Sequence, residues 1–335
     1  MPVPETMRAV VLDAYSGPAG LRLDEVPTPR PGPGEVLIEV AGSPINPSDL
    51  AFLEGNYVPR PPTPTRPGLE GAGRVVEAGP GLMGRYLKGK RVAFIAGSET
   101  GAWAEYVVVP NGMALPLGAG VSLESGAMSV VNPMTALALL DLCRERRCRA
   151  VVNTAAAGAL GRMIDRIFGA EGIEVINVVR RPEQVESLRA RGVKHVLDSS
   201  AGDFEASLRE RCKALGATLA FDAVGGSLTG QLLAGLERGS TVMVYGGLSE
   251  QPSRAEIGDL IFSGKTLTGF WLSRWIPAQG VLKNLRTWRR VQGLLEGSLR
   301  SELRSTFPLE KAAEAVVAYQ GAMSAGKVLL VPQAG

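Results

Sequence analysis

The most constraining feature of this sequence is a series of short apolar segments that alternate with helical segments between residues 150 and 245. The apolar segments are Ala150–Thr154, Ile173–Val179, His195–Leu197, Thr218–Ala223 and Thr241–Tyr245. Apolar runs separated by helices of about ten residues or more are typical of βαβ units. The pattern predicts a parallel sheet that is buried on both faces, as in a doubly wound α/β domain.

The first 120 residues follow a different pattern. They are rich in Pro and Gly, and their apolar runs predict strands over Arg8–Leu12, Val36–Val40, Gly73–Glu77, Arg91–Ile95 and Ala104–Val109. Closely spaced strands without intervening helices indicate a small β-barrel or sandwich. The five prolines of Tyr57–Pro67 predict a loop. A helix over Pro308–Gln320 and a strand over Lys327–Val331 follow later, and we expect that strand to join the N-terminal sheet.

Composition excludes several classes of protein. The chain has 36 Lys and Arg against 33 Asp and Glu, a net charge of +3 that is too weak to indicate nucleic-acid binding. One His and three Cys are the only four soft metal ligands in the whole chain. A structural zinc would need all four of them together, so we expect no metal site. The cysteines (Cys143, Cys148 and Cys212) form no C-x-x-C pair and favour a reducing compartment. With no signal peptide and no membrane span, we expect a soluble, cytoplasmic protein.

The pattern Ala155-x-x-Gly158-x-x-Gly161 follows the first strand of the βαβ series and precedes a helix. It matches the dinucleotide-binding fingerprint with Ala at the first glycine, and Ala159 and Leu160 complete the turn. Such a turn places backbone N–H groups and the positive end of a helix against a pyrophosphate. The alternative is a tight turn without a ligand.

The end of the second strand selects between the two nicotinamide cofactors. An Asp or Glu at this point binds the ribose of NAD, whereas here the strand ends in Arg180 and Arg181. Two guanidinium groups suit the 2′-phosphate of NADPH, which they can bind in a forked geometry. We therefore predict NADPH as the cofactor, the alternative being a solvated basic helix entry.

Several strings resemble landmarks of the medium-chain dehydrogenase/reductase superfamily. They are Gly34-Glu35-Val36-Leu37, Asn46-Pro47-Ser48-Asp49, Pro67-Gly68-Leu69-Glu70-Gly71, Gly89-Lys90-Arg91-Val92 and Gly326-Lys327-Val328. In zinc-dependent members, Cys and His ligands occupy the places that Ile45, Asn46 and Leu69 hold here. The resemblance therefore implies the zinc-free branch.

Within that branch the chain resembles the mitochondrial-type 2-enoyl thioester reductases. The strings that carry this resemblance are Glu54-Gly55-Asn56-Tyr57, Val131-Asn132-Pro133, Ile176 to Arg180, Val224-Gly225-Gly226, Tyr245-Gly246-Gly247 and Gly269 to Trp275. The resemblance implies a GroES-like domain over 1–125, completed by 272–335, and a Rossmann dinucleotide-binding domain over 126–271. It also implies a homodimer that pairs at the edge of the Rossmann sheet, near the strand through Phe270.

The resemblance also assigns roles to residues. Tyr57 is implied as the proton donor, and Asn46 approaches the nicotinamide, although Asn46 and Pro47 also fit a plain helix start. Further cofactor contacts are implied for Asn132, Thr135, Tyr245, Gly246, Gly247, Phe270, Trp271, Leu272 and Lys327. Trp271 and Trp275 are implied to line the substrate slot, with packing as the alternative. Glu70 and His195 are interpreted as structural.

These observations support a leading hypothesis and two alternatives. The leading one is NADPH-dependent reduction of an activated C=C bond, most simply of a 2-enoyl thioester. The first alternative is an NADPH:quinone oxidoreductase, which needs no proton donor at Tyr57. The second is a non-catalytic NADPH-binding protein. The basic stretch Lys283–Arg290 suits an acidic acyl carrier, or equally a solvated helix face.

Overall fold

The computed structural model describes residues 2–97 and 99–332. The chain divides into two compact units, of which the first comprises the residues up to Pro133 and those from Trp288 onward. The second unit is Met134–Thr287. The sequence analysis placed these boundaries at 125/126 and 271/272.

The N-terminal part of the chain forms seven strands and three short helices within the described residues. They are β1 (Thr6–Leu12), β2 (Leu21–Pro27), β3 (Glu35–Pro44), α1 (Pro47–Leu53), β4 (Glu70–Ala78), α2 (Leu82–Leu87), β5 (Arg91–Ile95), β6 (Tyr106–Pro110), β7 (Ala114–Pro116) and α3 (Leu123–Ala127). All five predicted strands are present. The structure adds the short strand β7 and the strand β2, which pairs with β1 alone and has no fully buried residue.

The middle of the chain alternates between helix and strand. Its elements are α4 (Val131–Glu145), β8 (Ala150–Asn153), α5 (Ala159–Ala170), β9 (Glu174–Val179), α6 (Pro182–Ala190), β10 (His195–Asp198), α7 (Phe204–Leu215), β11 (Ala217–Asp222), α8 (Ser227–Gly235), β12 (Thr241–Val244), α9 (Ile257–Ile261), β13 (Thr266–Gly269), α10 (Leu272–Ala278) and α11 (Val281–Leu294). The strands β8 to β13 form one parallel sheet in the order β10-β9-β8-β11-β12-β13. The predicted doubly wound fold is therefore confirmed.

The core of the second unit explains why its strands read as apolar runs. Every residue of β8 is buried, because helices cover both faces of the sheet. Val152, Ile176 and Ala220, from three neighbouring strands, pack with Leu208 and Leu232 from the helices α7 and α8. A parallel sheet of this kind places the loops at the carboxyl ends of its strands along one edge.

The last segment returns to the first unit and completes its sheet. It comprises β14 (Leu303–Pro308), α12 (Ala312–Gly321) and β15 (Lys327–Val331). Strand β15 pairs antiparallel with β3, with Leu329 opposite Pro44, and parallel with β14. The N-terminal sheet therefore hosts the C-terminal strand, as predicted.

Two predicted elements need correction. The helix predicted over Pro308–Gln320 begins at Ala312, because the residues up to Pro308 extend β14 and a 3₁₀ turn follows. The strand predicted through Phe270 ends at Gly269, because the chain then enters α10. It does lie at the edge of the sheet, as expected. Within 2–97 and 99–332, no helix is long and apolar enough to cross a membrane.

Candidate functional site

The turn between β8 and α5 carries the glycine fingerprint. Gly158 is the N-cap of α5, and Ala155 has a φ of 48°, a left-handed conformation that normally favours glycine. A Cβ on Gly161 would lie 2.6 Å from the Cα of Ala156, so the helix can approach the turn this closely because residue 161 is glycine. The fingerprint therefore has a packing reason in addition to any ligand.

Polar side chains brace this turn. The guanidinium of Arg162 is buried and donates to the carbonyl of Ala157 at 2.7 Å. The amide of Asn153, at the end of β8, donates to the carbonyl of Gly161 at 3.0 Å and to Asn177 at 2.9 Å. The first N–H groups of a helix have no partner within it, so a rigid turn presents those of α5 to an anion.

The two arginines lie where β9 passes into α6. Arg180 and Arg181 are both exposed, and the backbone N–H of Arg180 donates to the side chain of Gln184 at 3.3 Å. In a Rossmann-type sheet this position, at the carboxyl end of the strand beside the fingerprint strand, meets the adenosine ribose. The arrangement suits a phosphate on that ribose.

A second turn lies at the carboxyl ends of β11 and β12. The buried carboxylate of Asp222 accepts the hydroxyl of Thr229 at 2.7 Å and the backbone N–H of Val224 at 2.8 Å, so it fixes the loop after β11. The backbone N–H of Tyr245 donates to the Asp222 carbonyl at 2.8 Å. A Cβ on Gly246 would lie 2.8 Å from the carbonyl oxygen of Ala223. The predicted residues 245–247 thus lie at the same sheet edge as the fingerprint turn.

The remaining predicted cofactor residues are placed differently from one another. Asn132 and Thr135 are both buried in the first turns of α4. The backbone N–H of Phe270 donates to the carbonyl of Val244, and Trp271 next to it is exposed. Leu272 begins α10.

Trp275 is buried, although its backbone N–H donates to the carbonyl of the exposed Trp271 at 3.0 Å. The ammonium of Lys283 lies 5.6 Å from the Trp275 ring centroid and 3.5 Å from the carboxylate of Asp141. A third contact joins Lys283 to Glu145 at 3.7 Å. One cation of the predicted basic stretch is therefore already paired with acidic side chains of α4.

The start of α1 in the first unit confirms the predicted helix start and adds a polar network. Asn46 is the N-cap and Pro47 the first helical residue, and the carboxylate of Asp49 accepts the N–H of Asn46 at 2.8 Å. The Asn46 amide donates to Glu70 at 2.9 Å, and its oxygen accepts a short hydrogen bond from the Nζ of Lys327. All four side chains of this buried network (Asn46, Asp49, Glu70 and Lys327) are essentially inaccessible to solvent.

The charges of the buried network perturb one another. Burial raises the pKa of Asp49 to about 7, against backbone hydrogen bonds and the Lys327 charge that lower it. Burial also raises the pKa of Glu70, with Lys327 and the hydrogen bonds from Asn46 and the backbone opposing it. Burial lowers the pKa of Lys327, whereas both carboxylates raise it. The predicted contact of Lys327 with a cofactor phosphate would require this ammonium to leave Asn46.

Tyr57 lies in the Pro-rich loop that follows α1. It is half-buried and packs against the core that contains Phe52 and Trp103. The hydroxyl of Tyr15 donates to the carbonyl of Pro61 at 2.5 Å, and the guanidinium of Arg60 lies 4.4 Å from the Tyr15 ring centroid. The loop predicted from its prolines is thus tied to the body of the unit.

Sequence analysis missed several functional candidates. Nothing local links Asp49 and Glu70 to Lys327, because the contacts join distant strands, and Tyr15 carries no motif. The structural interpretation of His195 suits its surroundings, since Glu174 and Arg211 contact its two ring nitrogens at 3.2 and 2.8 Å. Among the residues that the structure describes, no group of three or more His, Cys, Asp or Glu side chains is arranged to hold a metal ion.

Two family models match the chain. Residues 32–119 match the alcohol dehydrogenase GroES-like domain, and residues 158–287 match the zinc-binding dehydrogenase domain. The matched ranges fall in the β-rich part and in the parallel-sheet part of the chain. Both domains are those of the medium-chain dehydrogenase/reductase superfamily.

Individual relatives indicate which members of this superfamily the chain is similar to. The mitochondrial enoyl-[acyl-carrier-protein] reductase of Bos taurus is 31% identical over 281 residues, which cover 81% of this chain and 74% of that protein. A crystal structure from Mesorhizobium loti, assigned provisionally to NADPH:quinone reductases, is 35% identical with a TM-score of 0.91, covering 99% of this chain and all of the other. The Thermus thermophilus quinone oxidoreductase, solved also with NADPH, is 28% identical with a TM-score of 0.77, covering 97% and 100%.

The chain belongs to the medium-chain dehydrogenase/reductase superfamily. Within it, the chain falls in the zinc-free branch with the enoyl reductases and quinone reductases, as the sequence predicted, and it is an oxidoreductase.

Proposed function

We propose that this protein uses NADPH to reduce an activated C=C bond, and that its substrates are 2-enoyl thioesters. The observation that carries the proposal is the placement of Tyr57 in a loop anchored through Tyr15 and Pro61. A phenol that donates a proton must be held in a fixed position. The hydrogen bond between Tyr15 and Pro61 helps to hold the loop that carries Tyr57. The enoyl reductases among the relatives add to this support.

The second unit fits NADPH at two points. Because residue 161 is glycine, α5 packs closely on the Gly158–Gly161 turn, and the first N–H groups of α5 are available to a pyrophosphate. The exposed Arg180 and Arg181 would hold the 2′-phosphate through charge-assisted hydrogen bonds. When bound, the cofactor supplies a hydride. The NADPH complex of the Thermus thermophilus relative supports the same assignment.

Tyr57 supplies the proton in this proposal. Addition of a hydride to the β-carbon of an enoyl thioester leaves negative charge on the thioester oxygen and α-carbon. A phenol hydroxyl can donate its proton to that carbon. Asn46 is proposed to orient the reacting groups, since its side chain is fixed from both ends by Glu70 and Lys327.

The test of this role is NADPH consumption with a short trans-2-enoyl-CoA. Replacing Tyr57 by Phe removes the proton but keeps the ring, so we expect kcat to fall by about 100-fold or more. Tyr86→Phe is the matched control, because Tyr86 is exposed on α2 and has no proposed role. Equal loss in both variants, or no loss in Tyr57→Phe, would contradict the assignment.

The cofactor assignment has a separate test. The double variant Arg180→Ala/Arg181→Ala removes two charged donors, so the KM for NADPH should rise by about 10-fold or more while that for NADH stays nearly constant. Arg189→Ala, which changes an exposed arginine at the other end of α6, is the control. A wild-type preference for NADH, or equal effects on both cofactors, would refute the assignment.

A quinone acceptor is the alternative that the relatives favour specifically, since two similar structures carry that description. Quinone reduction does not require protonation at carbon, so it should survive in Tyr57→Phe. Turnover of a simple quinone, with no turnover of enoyl-CoA, would replace the leading proposal by this one. Cofactor binding without turnover of either acceptor would instead indicate a non-catalytic NADPH-binding protein.

We further propose a homodimer that pairs through the outer edge of β13. This strand ends the six-stranded sheet. Just before it, Ile257 and Ile261 of α9 and the C-cap residue Phe262 are largely exposed. Exposed apolar side chains beside an open sheet edge are typical of a subunit interface. Light scattering should give twice the mass of one chain, and Phe262→Asp should give a single chain. The cytoplasmic location predicted from the cysteines is retained as part of the proposal.

A further inference from the structure

Two cysteines meet where α4 ends. Arg147 has a φ of 55°, and its N–H donates to the carbonyl of Arg144 at 3.0 Å. The N–H of Cys148 donates to the carbonyl of Cys143, also at 3.0 Å. These two hydrogen bonds, with the left-handed residue between them, define a Schellman motif.

The Schellman motif explains why these thiols are neighbours. Its third residue before the cap and its second residue after it normally make an apolar contact that closes the helix end. Here those two positions are Cys143 and Cys148, so the motif places the two cysteine side chains next to each other. The sequence spacing C-x-x-x-x-C alone did not indicate this contact.

The two thiols differ in their surroundings. Cys143 is completely buried, whereas Cys148 is half-buried and reachable from solvent. The Cys143 thiol, the Thr218 side chain and the charge of Arg146 lower the pKa of Cys148. The hydrogen bond to Cys148 and burial raise the pKa of Cys143. Cys148 is therefore the nucleophile of the pair, and Cys143 is the protonated thiol behind it.

We propose that Cys143 and Cys148 form a redox pair that reacts with hydroperoxides and closes to an intramolecular disulfide. The Schellman motif brings the two backbones together, which is the geometric requirement for this bond. Reaction at Cys148 followed by condensation with Cys143 is the pattern of a reactive thiol with a resolving partner. This inference is independent of the proposed reductase activity.

The reaction balances as follows. The Cys148 thiolate attacks one oxygen of hydrogen peroxide, the O–O bond breaks, and the departing oxygen takes a proton to leave as water. The Cys148 sulfenic acid that forms is then attacked by the sulfur of Cys143, and a second water leaves as the S–S bond forms. Two thiols and one peroxide give one disulfide and two waters, so the thiols lose the two electrons that the peroxide gains.

Trypsin offers a direct assay, because arginines separate the two cysteines. Cleavage after Arg144 puts Cys143 on the peptide 92–144, and cleavage after Arg147 and Arg149 puts Cys148 on the dipeptide 148–149. After peroxide treatment, we expect these two peptides to stay linked, and the intact chain to lose about 2 Da, reversed by a phosphine reductant.

Single substitutions test the assigned roles. Cys143→Ala should abolish the link and leave a Cys148 sulfenic acid that dimedone traps, formed about fivefold more slowly at pH 7 because alanine offers no donor to the Cys148 thiolate. Cys148→Ser should give no dimedone adduct at Cys143. Cys212→Ser is the matched control, since Cys212 is buried in α7 and its loss should leave the linked peptides unchanged.

Two outcomes would overturn the proposal. One is peroxide treatment of the wild-type protein that converts Cys148 to a sulfinic acid without any linked peptides. The other is oxidation of Cys212 at the same rate as Cys148, which would mean that the helix end confers no reactivity. Arg147→Gly is the control for a substitution at the helix end that keeps the fold. Glycine adopts the left-handed conformation readily, so this variant should still form the disulfide.

Discussion

Replacing Lys327 by Met removes the positive charge from the buried network of the first unit. In the wild-type protein this ammonium donates to Asn46 and lies among two carboxylates, Asp49 and Glu70, that are also buried. Met keeps most of the apolar stem of the lysine but leaves both carboxylates without a counter-charge. Asn46 loses a donor as well.

The expected cost follows from burial. Removing one partner of a buried ion pair costs about 3–5 kcal/mol, because the remaining charge stays desolvated and unpaired. Lys327 faces two carboxylates rather than one, so we place Lys327→Met at about 4 kcal/mol at pH 7. A loss of this size is a large part of the stability of an ordinary domain.

The cost should depend on pH with a definite sign. Burial raises the pKa of Asp49 to about 7, so the folded state binds more protons than the unfolded state between pH 4 and 7. Stability from this group is therefore lost as pH rises. Because Lys327 lowers the pKa of both carboxylates, its removal raises each pKa further and steepens that loss. The destabilisation should be smaller at pH 5 than at pH 7, because the carboxylates take up protons as the pH falls.

Urea unfolding without cofactor, followed by tryptophan fluorescence at pH 5 and pH 7, measures both effects. The control is Lys311→Met, because Lys311 is exposed and its pairing with Glu314 at 3.6 Å is worth at most about 0.5 kcal/mol. The reasoning is refuted if Lys327→Met costs no more than Lys311→Met, or if its cost is the same at both pH values.

Three further predictions concern backbone and loop geometry. Gly161→Ala should lower the free energy of unfolding by about 2 kcal/mol and weaken NADPH binding in a titration, because the new Cβ would lie 2.6 Å from backbone. Gly169→Ala on the same helix is the control, because its Cβ would meet nothing, and it should raise the free energy of unfolding by about 0.5 kcal/mol. Arg147→Gly should raise the melting temperature by relieving a left-handed residue worth about 1 kcal/mol. Tyr15→Phe frees the loop after Tyr57, so amide exchange there should speed up about fivefold while the melting temperature changes little.

The fold was largely predictable because strands that are buried on both faces of a sheet consist of continuous apolar residues, which are easy to recognise in a sequence. Strands such as β8 are buried at every residue, and sequence reasoning found them. Strands β2 and β14 were missed because exposed and charged residues interrupt them, and each takes its strand form from a neighbour. Phe270 and Trp271 fit a strand by composition, but the chain turns into α10 at that point.

The candidate site was predictable where its residues are close in sequence. Spacing alone predicted the Gly158–Gly161 turn and the arginines Arg180 and Arg181 as a candidate site, and the structure places both at carboxyl ends of neighbouring strands. The buried network was not predicted, because one of its hydrogen bonds joins Asn46 to Lys327, which lie 281 residues apart. The thiol pair was missed for a different reason: its contact depends on the left-handed conformation of Arg147, which a sequence of arginines does not reveal.

The pairing of β15 with β3 also sets an order on folding during synthesis. Nearly the whole of the second unit leaves the ribosome before residues 327–331 are made, and domains generally fold as units as they emerge. Until those residues arrive, β3 lacks its partner strand, and Asp49 and Glu70 lack the ammonium of Lys327. The middle of the chain can therefore be folded while its flanking unit is still open. Early termination before residue 327 would leave that unit with uncompensated carboxylates and an unpaired strand edge, and such an edge can pair with other chains.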